Sequence, residues 1–145
     1  MIKIGAEKNV ENRIKLELKN YPTAWYCKFF ANSNTKKGIP DILSVIDSKF
    51  TVFEVKRPKG GKPTPIQIKN LVQINKAGGI GYLTNDPHIV SKLTKNQPLE
   101  NIFTTYCSEQ LLTVKEATSL WQHPNGNNTP DKPYSIKIVY QKENN

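Results

Sequence analysis

Asp41, Glu54 and Lys56 are the side chains of this sequence with the greatest chemical capacity when taken together. They belong to one stretch, Gly38 to Lys56, that reads GIPDILSVIDSKFTVFEVK. Two runs of strand-forming residues, Pro40–Ile46 and Thr51–Lys56, flank a polar turn at Asp47, Ser48 and Lys49, which is the pattern of a β-hairpin. In the second run, alternation puts Phe53 and Val55 on one face and Glu54 and Lys56 on the other, about 7 Å apart at roughly 3.3 Å per residue. A short hairpin brings Asp41, at the start of the partner strand, beside Glu54. Two hard oxygen ligands so placed suit a divalent cation such as Mg²⁺, which retains several waters and accepts phosphate oxygens. Such an ion polarises a phosphoryl oxygen and makes hydroxide available near neutral pH. Lys56 beside it can orient water or offset charge growing on a phosphate. A Glu-x-Lys triplet alone is commonplace and reads equally well as an exposed cross-strand pair. This one differs in its setting, because the carboxylate interrupts the apolar run Val52-Phe53-Glu54-Val55, where a charge needs a compensating partner.

The neighbouring elements determine whether these groups can meet. Glu7 to Asn20 reads as a helix, with Val10, Ile14 and Leu18 as its apolar stripe, and Tyr21-Pro22 ends it. Glu11 borders that inward stripe. It is either an acid favoured by the helix N-terminus or a third carboxylate reaching the metal site. Thr23 to Phe30 is an aromatic-rich strand, followed by a polar loop ending in Lys36-Lys37-Gly38. Those two lysines are either solvated loop charges or contacts to a phosphate backbone. Arg57-Pro-Lys59-Gly-Gly-Lys62 forms a basic, glycine-bearing loop able to approach nucleic acid closely, although the P-loop frame fails at its first glycine. Thr64 as N-cap and Pro65 at the first position open a helix that runs to about Ala77, buries Ile68, Leu71 and Val72, and stops at Gly78. Gln67 lies beside the buried face, where it bonds either to solvent or to the Lys56 region and an ion-coordinated water. The strand Ile80–Thr84 follows.

The chain has 145 residues, a length that predicts one domain with a core needing no staples. It carries 21 basic and 12 acidic residues, a formal charge of +9. Nucleic acid is the first partner to consider for such a charge, ahead of an anionic membrane surface. Lysine outnumbers arginine 19 to 2, a composition bias rather than a recognition code, since bidentate recognition favours arginine. Cys27 and Cys107 have no zinc-type spacing, and His88 and His123 stand alone. The absence of an apolar run of 18 residues leads to the expectation of a soluble, cytoplasmic protein with no membrane partner.

Several residues together carry a family resemblance. Glu11, Gly38-Ile39-Pro40-Asp41, Phe53-Glu54-Val55-Lys56-Arg57-Pro58, Thr64-Pro65-x-Gln67 and Ala77-Gly78-Gly79, in that order, resemble the virus-type replication-repair nuclease (VRR-NUC) branch of the PD-(D/E)XK nucleases over roughly Glu7 to Asp86. The resemblance implies an α/β fold with the restriction-endonuclease-like core, a central mixed sheet flanked by helices. It also implies Mg²⁺- or Mn²⁺-dependent phosphodiester hydrolysis with no organic cofactor. Carried over by position, it makes Asp41, Glu54 and the Val55 carbonyl metal ligands, Lys56 the catalytic lysine, Glu11 the first-helix acid at the metal, and Gln67 a supporting polar residue. Lys36, Lys37, Arg57, Lys59 and Lys62 are the expected nucleic-acid contacts. Small stand-alone members, largely from phages and bacteria, resemble Holliday-junction resolvases that act as homodimers on branched DNA, which gives the expected partners and setting. The alternative is a basic nucleic-acid-binding module without turnover.

Residues after Asp86 lie outside that resemblance, and those beyond about 95 read as a C-terminal extension. A short helix is expected near Pro87–Lys95, a strand over Asn101–Tyr106 and a helix over Thr113–Trp121 opened by a Thr113/Glu116 capping box. An exposed loop and a half-exposed strand over Tyr134–Tyr140, placed at an edge, complete the expectation.

Overall fold

The computed structural model describes residues 5–95 and 99–143, so the ends of the expected extension, residues 96–98 and 144–145, lie outside the described residues. Its elements are α1 (Ala6–Asn20), β1 (Ala24–Lys28), β2 (Ile42–Ile46), β3 (Lys49–Val55), α2 (Pro65–Lys76), β4 (Ile80–Thr84), α3 (Ile89–Thr94), β5 (Ile102–Cys107), α4 (Val114–Gln122) and β6 (Ser135–Tyr140). The strands form one mixed sheet in the order β1-β2-β3-β4-β6-β5. The α/β architecture expected from the sequence is the one observed. Among the described residues, no helix is long and apolar enough to cross a membrane.

The two-residue connection between β2 and β3 explains the hairpin. Asp47 (φ 49°) and Ser48 (φ 70°) are both left-handed, the conformation that matches the twist of the flanking strands. Asp47 tolerates it because its carboxylate takes hydroxyl donors from Tyr21 (2.8 Å) and Thr23. β3 then runs parallel to β4, pairing Phe53 with Tyr82 and Glu54 with Leu83.

Period-two alternation divides the sheet into two apolar layers. Ile42, Ile46, Phe53 and Val55 join Val10, Ile14 and Leu18 of α1 and Ile89 and Val90 of α3. On the other face, Val52 joins Ile68, Leu71 and Val72 of α2, Ala117 and Trp121 of α4, and Ile136 and Ile138 of β6. The Thr113/Glu116 capping box read in the sequence is closed, and Thr64, read only as an N-cap, closes a second one with Gln67.

The position of β6 differs from the sequence expectation. This last strand is not at an edge: it inserts between β4, to which it is antiparallel, and β5, to which it is parallel. Alternation alone predicted a half-exposed strand, but Ile136 and Ile138 are fully buried because α2 packs over them. The stretch after residue 95 is therefore part of the central sheet. Asn75 of α2 fastens it, donating to Gly79 O (3.0 Å) and accepting from Tyr140 N (2.8 Å). Asn85 does the same at the strand's start, accepting from Tyr134 N (2.8 Å) and donating to Pro58 O (3.4 Å). Ile138→Ala is expected to cost about 2–5 kcal/mol in urea denaturation, the range for deleting a large aliphatic side chain from a packed core. A loss below about 1 kcal/mol would show that the strand is dispensable.

Candidate active site

Asp41, Glu54, Lys56 and Gln67 meet at the carboxyl end of β3. Its alternation sends Glu54 and Lys56 towards the α2 face, away from Phe53 and Val55. Glu54 is 3 % exposed and Lys56 7 %, so this is not the exposed cross-strand pair that a Glu-x-Lys triplet usually makes. The Lys56 amine donates to Gln67 Oε1 at 2.9 Å and to Glu54 Oε2 at 3.3 Å. Gln67 can reach it because its oxygen closes the α2 capping box, also accepting from Thr64 N at 2.9 Å. One amide oxygen thus begins the helix and orients the lysine.

Asp41 lies one residue before β2, and its Oδ2 accepts the Val55 N–H at 2.8 Å. That bond aims the carboxylate across the end of β3 towards Glu54. The loop before it is held against α2 by Asn70, which donates to Lys37 O at 2.9 Å. Gly38 makes the approach possible. Its φ is +77°, and a Cβ there would stand 2.8 Å from Asn70 Nδ2 and 3.0 Å from the Ile66 carbonyl, so only glycine fits.

The electrostatics follow from burial and proximity. Glu54 has its pKa pushed up to about 9, first by burial and then by the Asp41 charge, with Lys56 only partly offsetting them. A pair of adjacent carboxylates short of positive charge results. Glu7 is raised as well, first by burial and then by Asp41. Glu11 is buried, which opposes its charge, but hydrogen bonds from Lys28 and Lys8 more than compensate and leave its pKa lowered.

Glu11 comes to the site from the α1 side, yet it does not join the other two carboxylates directly. Lys28, on β1, stands between: its amine pairs with Glu11 Oε1 and lies 3.5 Å from Asp41 Oδ1. Among the described residues, no group of three or more His, Cys, Asp or Glu side chains is gathered closely enough to hold a metal ion. Asp41 thus lies beside Glu54, and Lys28 links Asp41 to Glu11. Sequence reading missed both Lys28 and Glu7. The signal for Lys28 was its alternation with Ala24 and Tyr26, which pack on the α1 layer. For Glu7 it was the i, i+4 spacing to Glu11.

The basic loop is divided between two clefts. Glu7, Lys56, Arg57, Gly60, Gly61 and Lys62 line one, of about 480 Å³. Lys59 lies instead on the neighbouring cleft between this loop and Thr129–Tyr134. Arg57 is held by its bond to Gly60 O at 3.0 Å. Lys36 and Lys37 are exposed on the loop before Gly38 and line neither cleft.

The donor set is suited to a hard divalent cation: two adjacent carboxylates, one of them buried with a deficit of positive charge, next to an open basic cleft. No family model, curated protein or solved structure matches the chain.

Proposed function

We propose that this chain is a divalent-metal-dependent DNA endonuclease of the VRR-NUC type, acting on branched DNA as a homodimer. The observation that carries this reading is the convergence of Asp41, Glu54 and Lys56 at one end of β3, with Glu54 driven up to about 9 by burial and by its carboxylate neighbour. Ionising buried Glu54 beside the partly exposed Asp41 carboxylate is costly in an unliganded protein, and a cation would remove that cost. Arg57 and Lys62, which share the adjoining cleft with Lys56, and the overall charge of +9 supply the attraction for a polyanion.

In this reading Asp41 and Glu54 hold Mg²⁺ or Mn²⁺, with the Val55 carbonyl as a further donor. The ion supplies Lewis acidity at the phosphodiester and an activated water. The remaining work falls to the chain's own groups. Gln67 and Glu54 fix the Lys56 amine, which offsets negative charge on the phosphate as the water attacks. The Val55 N–H holds Asp41 in position. Arg57 and Lys62 seat the flanking backbone. A homodimer presents two such sites to two strands, the arrangement that symmetric cleavage of a four-way junction requires.

The test is cleavage of labelled junction, flap, nicked, duplex and single-stranded DNAs in Mg²⁺, Mn²⁺ or EDTA. Metal-dependent cleavage with preference for a branched substrate is expected. Binding without cleavage of any of them would favour the non-catalytic module. The basic surface also predicts a salt dependence: log affinity for duplex DNA falls with log salt at roughly −0.9 per neutralised phosphate. Arg57 and Lys62 alone would give a slope near −2, and a flat response in an anisotropy titration would exclude both nucleic-acid readings.

A further inference from the structure

We propose that Lys28 is a built-in cation that stands in for part of the metal charge and sets the affinity of the site for divalent ions. The inference rests on the nuclease reading and extends it to a residue that reading does not use. Lys28 is the last residue of β1, and its side chain is 19 % exposed. It is held between two acids, paired with Glu11 Oε1 and 3.5 Å from Asp41 Oδ1.

The geometry divides the work on Asp41. Its Oδ2 is committed to the Val55 N–H, so Oδ1 is the oxygen with most freedom to ligate an ion, and that is the oxygen Lys28 faces. An ammonium this close to Asp41 repels a divalent ion and competes for the same lone pairs. It also neutralises the acids when no ion is bound. Glu11 gives Lys28 somewhere to go: it is on α1 and also accepts from Lys8 at 2.6 Å, so it can retain Lys28 after the contact with Asp41 is released. Ion binding and Lys28 contact with Asp41 are therefore mutually exclusive. Lys28 acts as a positioning residue, keeping the acids assembled without metal and restraining the affinity with it.

Mn²⁺ titration by calorimetry on the full chain, with wild type, Lys28→Met and Lys28→Arg compared, tests this. Methionine keeps the length and apolar stem and removes the charge, so at least tenfold tighter Mn²⁺ binding is expected. Arginine keeps the charge and should bind no more than about threefold more tightly than wild type. A merely structural role would leave affinity unchanged or weaken it, so equal or weaker binding by Lys28→Met overturns the proposal while leaving the nuclease reading intact if wild type cleaves DNA. Absence of Mn²⁺ binding in all three proteins overturns both. A readout on wild type covers the case in which Lys28→Met fails to fold. The Lys28 ammonium ¹⁵N signal, assigned by its loss in Lys28→Arg, should move on adding Mg²⁺, and an unmoved signal at saturation contradicts the displacement.

Discussion

Replacing Lys56 with alanine is expected to reduce single-turnover, metal-dependent DNA cleavage by about 10²–10³-fold, the usual cost of removing one pre-organised charge that acts on a developing oxyanion. DNA binding should change little, because Lys56 is 7 % exposed and its amine is directed at Glu54 and Gln67 rather than at solvent. The contrast between the two readouts matters more than either alone. Gln67→Ala should share part of the defect, since the amide that orients Lys56 also closes the α2 cap; lost capping adds about 1 kcal/mol of instability. Gel-based cleavage at saturating protein, with anisotropy for binding, separates these effects. Full cleavage by Lys56→Ala would remove this residue from the chemistry.

Glu54→Gln is expected to make the metal-free protein more stable at pH 8 while abolishing cleavage. The sign follows from linkage. Glu54 is raised from 4.5 to about 9 in the fold, so between those values the native state retains a proton that the unfolded state has released. Stability therefore falls as pH rises through this window. Glutamine keeps an acceptor for Lys56 and has no proton to lose. Each tenfold difference in proton affinity between the folded and unfolded chain is worth about 1.36 kcal/mol. After allowing for the cost of burying the amide, the gain is on the order of 3 kcal/mol at pH 8, or roughly 6–12 °C in Tm for a chain of this length. Near pH 4.5 the gain should vanish. Glu11 and Glu17 act in the opposite sense. Glu11 is buried and Glu17 partly so, but their hydrogen bonds, to Lys28 and Lys8 and to Ser91, His88 and Arg13, outweigh desolvation and lower their pKa values, so their contribution is lost as pH falls below the ordinary glutamate range. Thermal melts of wild type and Glu54→Gln in EDTA across pH 5 to 9 measure this directly. A variant less stable than wild type at pH 8 would mean that Glu54 is ionised and well compensated in the fold.

These two expectations depend on features that were unevenly legible in the sequence. The hairpin, the helix starts at Thr64 and Thr113 and the facing of Glu54 and Lys56 were readable because each is fixed by local chemistry. The Asp47-Ser48 turn sets the register, Thr64 and Thr113 set helix starts, and a period of two assigns sides. Gln67 was readable only as one of two alternatives, and the Lys56 contact at 2.9 Å decides between them. The placement of β6 was not readable, because its neighbours β4 and β5 are chosen by packing under α2 and by Asn75 and Asn85, contacts that span 49 to 65 residues. Lys28 escaped for a related reason. Its role exists only once β1 pairs with β2, opposing Lys28 to Ile42 next to Asp41, and once α1 brings Glu11 over the same edge.

If the carboxyl end of β3 is the reaction centre, a metal and a phosphate should be found there together. The most direct measurement is anomalous diffraction from crystals of the protein grown with Mn²⁺ and a short DNA duplex. An anomalous peak about 2.2 Å from carboxylate oxygens of both Asp41 and Glu54, with a DNA phosphate beside it and Lys56 facing that phosphate, is the predicted result. DNA bound across a different surface, or Mn²⁺ absent from between these two carboxylates at saturating concentration, would contradict it.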